Sequence, residues 1–575
     1  MERSSLSDLH EVFVPFEVSK LKEAKVVFSN KKLLCTPSKE SLLSRYAYVV
    51  DDGCLKGRLD TGRRTFYAER YGGDAILRNG GGGRCGFDGE FQLKGLGPNQ
   101  LVADDAESAD GNGLMSLGSA IYETIWAEII HIALPYGAVR SVAILDAGLD
   151  FEHKGKKYSR GLLVRVPAVR PAHFIRAVYF KEKQIGVLTD DAKRVRAVVK
   201  RLVSFLPADK YGLIKGIKGS LYEQLKSGLS ELAKRFARQF AIAKTRRIVH
   251  YNISASNLSL DGAWLDFSSA RIFSGLIVGD KVDIDNFMGE HVSAVESIEN
   301  ICYYLSKYEV IGFGQSQLIL REALETFTLQ YNKTFKFQCV LRVGFPSCIL
   351  NKVTNSRIFF EFSEALQRVL GFDDFSMAPT CTGAGWDGYD SWECRLFMML
   401  FKGKTFDVEQ KFSALKVDAM SSSRLITTYS ELFDLVCNEA ISAGISRASA
   451  VCGMAINLVR LNRTNVLLVD LDRYIEKLVD SELRSEKECA ALVECATNAA
   501  YFQFYTEDGG SVPFWISGSA KIWYNMNTGL YGVEQARGNL LWVERLSSSN
   551  VDENELVNVI YFYGDMWGCI LEKNF

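Results

Sequence analysis

The sequence predicts an α+β protein: an N-terminal arm (1–40), a strand-rich first lobe (41–168), a helical second lobe (169–345) and a large, mostly helical extension (346–575). Three observations predict it. Apolar runs of strand length, bounded by glycine and polar residues, crowd the first 168 positions. From Pro171 the apolar residues take up the 3.6-residue period of amphipathic helices. The chain's 575 residues, 47% hydrophobic and 24% charged, have ordinary globular composition and about four domains' length, which a two-lobed body plus an extension fills.

Taken in order, residues 1–40 read as an arm or an extra strand pair. Tyr46 to Val50 and Thr65 to Glu69 read as short strands, followed by the glycine cluster Tyr71-Gly72-Gly73 and Asn79-Gly80-Gly81-Gly82-Gly83-Arg84. Phe91 to Gly95 is a short strand ending in glycine. Leu114 to Leu134 carries apolar residues at helical spacing around Glu123 and Glu128 and predicts a helix of about five turns. Val139 to Ala147 and Gly161 to Val166 are strands. In the second lobe His173 to Glu182, Asp191 to Phe205, Leu221 to Arg246 and Val292 to Tyr308 read as helices. One strand-like island, Ile248 to Asn257 and then Ala263 to Phe267, interrupts them. The extension has helices at Ile358 to Leu370, Ser430 to Ala443 and Lys487 to Phe502, and a Gly/Asp/Trp-rich connection from Thr380 to Trp392. Its tail from Gly509, with Trp515, Trp523, Trp542 and Trp567, alternates as a small sheet or a docking surface does.

Composition excludes several classes. Lys and Arg total 68 against 69 Asp and Glu, so there is no basic field to hold nucleic acid. No run approaches 18 uncharged apolar residues, and the N-terminus has no signal-peptide core, which predicts a cytoplasmic protein without a membrane span. Thirteen cysteines without a C-x-x-C pair read as reduced thiols, and six histidines without a paired motif do not build a metal centre.

Four features carry chemistry when taken in order. The glycine run before Arg84 lets backbone N–H groups approach phosphate oxygens, because no Cβ intervenes. Lys94 follows at the end of a strand and is expected to meet phosphates and not the core. Glu123 and Glu128 sit on a helix, and either suits a lysine that must be held against phosphates. Asn257 ends the stretch His250-Tyr251-Asn252-Ile253-Ser254-Ala255-Ser256-Asn257, and Asp266-Phe267-Ser268 lies nine residues on. An asparagine and a D-F-x aspartate are the side chains that hold Mg²⁺ beside ATP in kinase-like sites. Taken singly each feature is ordinary, a turn, an edge charge or a wet helix face. The order points to a protein-kinase-like two-lobed fold.

At these residues the chain resembles the SelO/YdiU family, kinase-like proteins that transfer AMP from ATP. Gly81-Gly82-Gly83-Arg84 stands for the family's G-D-G-R and Gln92-Leu93-Lys94-Gly95-Leu96-Gly97 for its H-L-K-G-A-G. Ala109-Asp110-Gly111-Asn112 stands for its G-D-G-R-A and Glu123 to Glu128 for its E-x4-E helix. Val164-Arg165-Val166 and His173-Phe174-Ile175-Arg176 match M-R-V and H-L-R, and His250 to Asn257 with Leu265-Asp266-Phe267 match H-G-V-x-N-T-D-N and L-D-Y-G. The similarity spans roughly residues 45–345. It implies that Gly81, Gly83, Arg84, Lys94, Asp110, Gly111, Arg165 and Arg176 bind the nucleotide, that Glu123 holds Lys94, and that Asn257 and Asp266 bind the metal.

The sequence departs from the family where it matters most. Gly82 replaces an acidic residue, and Ser256 occupies the position of the aspartate that accepts a proton. A general base is worth roughly 10²–10⁴-fold, so transfer to a neutral hydroxyl should be crippled. An ionised C-terminal carboxylate, with a pKa of about 3.3–3.7, needs no base. The segment Arg70 to Cys85 and the long extension are also similar to the MchC/MceJ proteins of microcin clusters. That resemblance implies activation of a microcin precursor's C-terminal carboxylate for ester linkage to a glycosylated catechol siderophore, together with an acyltransferase-like partner subunit. The alternatives are SelO-type AMPylation of side-chain hydroxyls, with Asp261 or His250 as surrogate base, and a nucleotide-binding pseudokinase scaffold. The two lobes read as complete without the extension, which is therefore expected to dock the partner.

Overall fold

The computed structural model describes residues 4–51, 53, 55, 57–73, 80–102, 112–177, 191–208, 219–272, 281–370, 380–381, 386, 388–403, 418–481, 485–506, 510–534, 538–564 and 566, the side chains of 281–284, 380–381, 389 and 392 excepted. The fold is α+β. Its large sheet comprises β1 Phe13–Leu21, β2 Lys25–Ser29, β3 Tyr48–Val49, β4 Leu59–Glu69, β5 Cys85–Phe87, β6 Gln92–Lys94, β7 Ser141–His153 and β8 Lys156–Arg165. The order is β2-β7-β8-β6-β5-β4-β1-β3, antiparallel throughout. Alternation along β8 sends Leu162 and Val164 into the core under helix α1 (Lys39–Tyr46), and Leu163 to the opposite face under α2 (Leu117–Ala133). The residue 1–40 arm is part of this sheet. Its two strands do not pair with each other: β1 lies between β4 and β3, while β2 joins the far edge beside β7, where Val27 and Phe28 enter the core around α2.

Helix α2 starts at Ser116, whose hydroxyl accepts the Ser119 N–H at 3.0 Å. It is buried almost all round, between the sheet and the extension, so Glu123 and Glu128 are each only 3% exposed and neither lies on a wet face. The later helices are α3 Asp191–Val199, α4 Leu221–Thr245, α5 Lys281–Gly289, α6 Val292–Lys307, α7 Phe313–Arg342, α8 Ser347–Val353 and α9 Arg357–Leu370. They continue with α10 Trp392–Phe401, α11 Ala419–Ser442, α12 Arg447–Leu461, α13 Val466–Val469, α14 Leu471–Asp480, α15 Glu486–Phe504 and α16 Glu553–Phe562.

Three sequence expectations are corrected. His173 does not open a helix: Pro171–Phe174 form one 3-10 turn, and the chain leaves it extended at Ile175. The His173 ring turns back to accept the Arg170 N–H, which fixes that turn. The island after Ile248 is a two-residue strand, β9 Ile248–Val249, paired with β10 Arg271–Ile272. The N–H groups of His250 and Tyr251 go to the Glu290 carboxylate at 2.8 and 2.7 Å instead of to a strand. The Thr380 to Trp392 connection carries β11 Thr380–Cys381 and β12 Gly388–Asp390, which joins β13 Arg463–Asn465.

The tail folds as a four-stranded meander, β14 Ser511–Ile516, β15 Lys521–Asn525, β16 Leu530–Glu534 and β17 Leu540–Val543. Trp515 is a core residue against Trp386 and Phe562, Trp542 is exposed on the edge strand, and Trp567 lies outside the described residues. The extension is no detachable appendage. One apolar core runs unbroken from α2 to Met566, and α15 packs directly on α2. Glu393 of α10 is buried as the partner of Arg247 and, at 3.7 Å, of Arg342. Among the described residues no helix is long and apolar enough to cross a membrane.

Candidate functional site

Gln92 and Lys94 are two apart on β6, so both side chains leave one face of the sheet. The ladder sets Arg165 of β8 opposite Gln92. The turn after Leu265 turns Asp266 back toward them with a left-handed φ of +67°, a conformation that costs energy for a non-glycine residue. Lys94 Nζ lies 2.7 Å from Glu123 Oε2 and 2.5 Å from Asp266 Oδ1. Arg165 Nη1 lies 2.7 Å from the same Asp266 oxygen and 3.3 Å from Glu123 Oε1, and its Nε donates to Gln92 Oε1 at 3.1 Å. Arg170 donates to the Ser256 carbonyl at 2.9 Å and stands 3.6 Å from Asp266 Oδ2. Burial works to raise the Asp266 pKa, but Arg165, Lys94 and Arg170 hold the carboxyl well below its usual range.

Glu123, not Glu128, is the partner of Lys94. Glu128 pairs with Arg140 at 2.6 Å and accepts from Asn30 at 2.9 Å. Lys94 is 2% exposed, which corrects the reading of a side chain outside the core: its ammonium belongs both to the buried network and to a cavity wall. A further row of buried groups fixes the arginines. Gln92 donates to Glu69, and Glu69 faces His173 Nε2 at 3.0 Å. His173 Nδ1 accepts the Arg170 N–H, so its proton sits on Nε2 and is donated to Glu69.

In front of this network is a cavity of about 420 Å³, walled by the glycine run Gly81 to Arg84, the loop 251–257, Lys94, Asp266 and Ser268. At Gly80, Gly82 and Gly83 the backbone does not act as the sequence suggested. The N–H groups of Gly80, Gly82, Gly83 and Cys85 are spent on carbonyls of Leu101, Glu69, Gly81 and Gly82. Glycine is required for packing: a Cβ would stand 2.1 Å from the Glu69 carbonyl at Gly81, whose φ is +142°, and 2.5 Å from Val102 Cγ2 at Gly83. The charge at this wall comes from Arg84.

The loop side holds no base. His250 donates from Nε2 to the Leu265 carbonyl at 2.8 Å, accepts the Asn252 N–H at Nδ1, and is driven by burial to a pKa of about 4. Asp261 is exposed, 3.9 Å from Arg235, and does not line the cavity. Ser256 shares a 2.8 Å hydrogen bond with Ser254. Cys85 stands in the wall, but burial pushes its thiol up. Asp266 is the one carboxylate lining the cavity among the described residues.

Of the nucleotide and metal residues expected from the sequence, Gly81, Gly83, Arg84, Lys94, Ser256, Asn257 and Asp266 line the cavity, and Glu123 and Arg165 stand directly behind it. Asp110 and Gly111 lie outside the described residues. Arg176 is not in the lining; its carbonyl is pressed against Gly72, where a Cβ would come within 2.1 Å, and Arg170 is the arginine that joins Arg165 in facing Asp266. Sequence reasoning missed Arg170, Glu69 and Gln92. The two-residue spacing of Gln92 and Lys94 was a signal for the last; Arg170 before Pro171 offered none.

Among the described residues no cluster of three or more His, Cys, Asp or Glu side chains could hold a metal ion. Mg²⁺ needs only one or two protein oxygens beside phosphate and water. Asp266 Oδ2 has only Arg170 at 3.6 Å, and Asn257 Oδ1 only a long 3.5 Å contact from the Ser256 hydroxyl, with the Asn257 amide anchored on the Asn252 carbonyl at 2.6 Å. These two oxygens fit that ion. No protein-family model matches the chain, and no curated protein is significantly similar to it.

Proposed function

We propose that this cavity binds ATP, within a kinase-like two-lobed arrangement, and transfers the adenylyl group to a peptide carboxylate. The observation that carries the reading is the wall chemistry. Among the described residues its single carboxylate, Asp266, is held ionised by three cations, and both ring nitrogens of His250 are engaged, so none of them stands ready to take a proton. A hydroxyl acceptor needs such a group; a carboxylate does not. The Lys94 contact with Glu123 and with Asp266, 172 positions away, favours the kinase-like arrangement.

In the proposed step a carboxylate oxygen attacks the α-phosphorus. The new P–O bond forms as the bond from that phosphorus to the α–β bridging oxygen breaks. Pyrophosphate leaves with the electron pair, and no proton moves. Arg84 and Lys94 neutralise the phosphates, while Arg165, Arg170 and Glu123 keep Lys94 and Asp266 in place. Asp266 and Asn257 would hold Mg²⁺, which would supply further charge neutralisation. The acyl adenylate is the activated form that an ester linkage to a glycosylated siderophore requires, with an acyltransferase-like subunit completing the transfer. The test is ATP labelled at the α- or γ-phosphate, incubated with and without a microcin precursor peptide. Peptide-dependent release of AMP and pyrophosphate is expected. ADP release, or γ-label on the peptide, overturns the reading, and α-label stable on a side chain returns it to AMPylation.

A further inference from the structure

A second cavity, of about 500 Å³, adjoins the first and is walled by the start of α2, the β7–β8 hairpin and α14 of the extension. Ser268, two residues past Asp266, lines both cavities. The volume lies within the roughly 300–1,000 Å³ typical of ligand sites. A molecule held here would have one end beside the phosphate cavity.

Its charge is one-sided. Asp472, Glu476 and Asp480 recur every fourth residue on α14 and share the face turned to the cavity, with Asp150 of the hairpin also in the wall. Lys157 answers Asp150 at 2.9 Å and Lys156 answers Glu476 at 3.4 Å. Asp472 feels Arg271, whose guanidinium stacks on Tyr251 of the phosphate cavity at 4.6 Å. Asp480 has no ionic partner among the described residues. Among the described residues four carboxylates therefore meet three cations, the Lys156 and Lys157 ammonium groups and the Arg271 guanidinium. Two like-charge pairs at i, i+4 also destabilise a short helix, and among the described residues Asp480 keeps the set net negative.

We propose that this second cavity is the acceptor site, taking a polypeptide segment that carries Lys or Arg side chains just upstream of the carboxylate presented to the phosphate cavity. The proposal rests on the adenylyl-transfer reading of the neighbouring cavity and names its substrate class. The cation answers the α14 carboxylates, the chain passes Ser268, and its anionic terminus faces Arg84 and Lys94. An acidic segment is repelled before it reaches the phosphates.

The probes are two fluorescein-labelled Gly/Ser nonapeptides, one with two lysines before its C-terminal carboxylate and one with two glutamates there, followed by anisotropy at low salt on the full chain. A fluorescent ATP analogue is titrated in parallel. The lysine peptide should bind at least tenfold more tightly than the glutamate peptide. The double variant Asp472→Asn/Asp480→Asn should weaken it at least tenfold, and Val479→Trp, which fills the cavity without altering charge, should abolish it. The ATP analogue should bind all three proteins alike. Equal binding of the two peptides, or undiminished binding by either variant, overturns the acceptor site while leaving the ATP reading intact. Failure of the analogue to bind wild type sinks the ATP reading instead, whatever the peptides do.

Discussion

Lys94 shows how one buried charge can serve both stability and chemistry. Removing one partner of a buried ion pair typically costs about 3–5 kcal/mol. Here Arg165 remains on both carboxylates that Lys94 would leave behind. Lys94→Met, which keeps the stem volume, should therefore lose less than about 3 kcal/mol in urea unfolding while abolishing ATP turnover; a folded variant with wild-type turnover would remove Lys94 from the site. Ser256→Asp makes the opposite test. A carboxylate there would add negative charge close to Asp266 and to an attacking carboxylate. Like charges about 4 Å apart repel by roughly 4 kcal/mol at an effective dielectric of 20. The variant should slow peptide-dependent AMP release. A tenfold gain, with AMP found on a side-chain hydroxyl, would mean that a base was the missing component.

At the scale of elements, several long periodic helices were legible, whereas Phe313–Arg342 and Arg447–Leu461 were not placed, Ala419–Ser442 was read only from Ser430, and the short loop elements were misread. Leu221–Thr245, Val292–Lys307 and Glu486–Phe504 lie within a residue or two of where their apolar spacing put them. The β9 loop and the turn at His173 were misread because distant partners decide them: Glu290 takes two loop N–H groups, and Glu69 anchors the His173 ring. The cavity residues Lys94, Asn257 and Asp266 were legible through their order in the chain, whereas Arg170 was not, since its role depends on a fold-back toward Ser256 that has no local period. Glu290 also makes the loop titrate. Burial raises its pKa to about 8, against roughly 4.3 when unfolded, so folding binds a proton and stability falls as pH rises between those values. His250, lowered by burial to about 4 from roughly 6.5, acts in the opposite sense, its stability present above about 6.5 and lost as pH falls toward 4. Of these two groups, Glu290 is the one that acts above pH 6.5. Glu290→Gln keeps an oxygen for both N–H groups and cannot ionise, so its melting temperature relative to wild type should climb from pH 6.5 to pH 8. A constant difference would show that Glu290 stays charged.

At the scale of the molecule, the sequence suggested two lobes that stand without the extension, and the packing opposes it. Interruption after Phe345 would strip α15 from α2, exposing a helix whose Trp126 is fully buried and which carries Glu123. It would also leave Arg247 and Arg342 without Glu393, and Arg246 without the Phe504 ring on which its guanidinium stacks at 5.4 Å. Each unpaired buried charge costs several kcal/mol, and a typical domain has only about 5–15 kcal/mol in total. A fragment of residues 1–345 should therefore be expanded or aggregated, with weak near-ultraviolet circular dichroism, strong dye binding and no cooperative melt. It should also fail to bind ATP, because α2 positions Glu123 and hence Lys94. Supplying residues 346–575 in trans should restore both properties if the two pieces recognise each other. A fragment that melts cooperatively and binds ATP with wild-type affinity would show that the lobes are self-sufficient, and the extension would then be free to serve a partner alone.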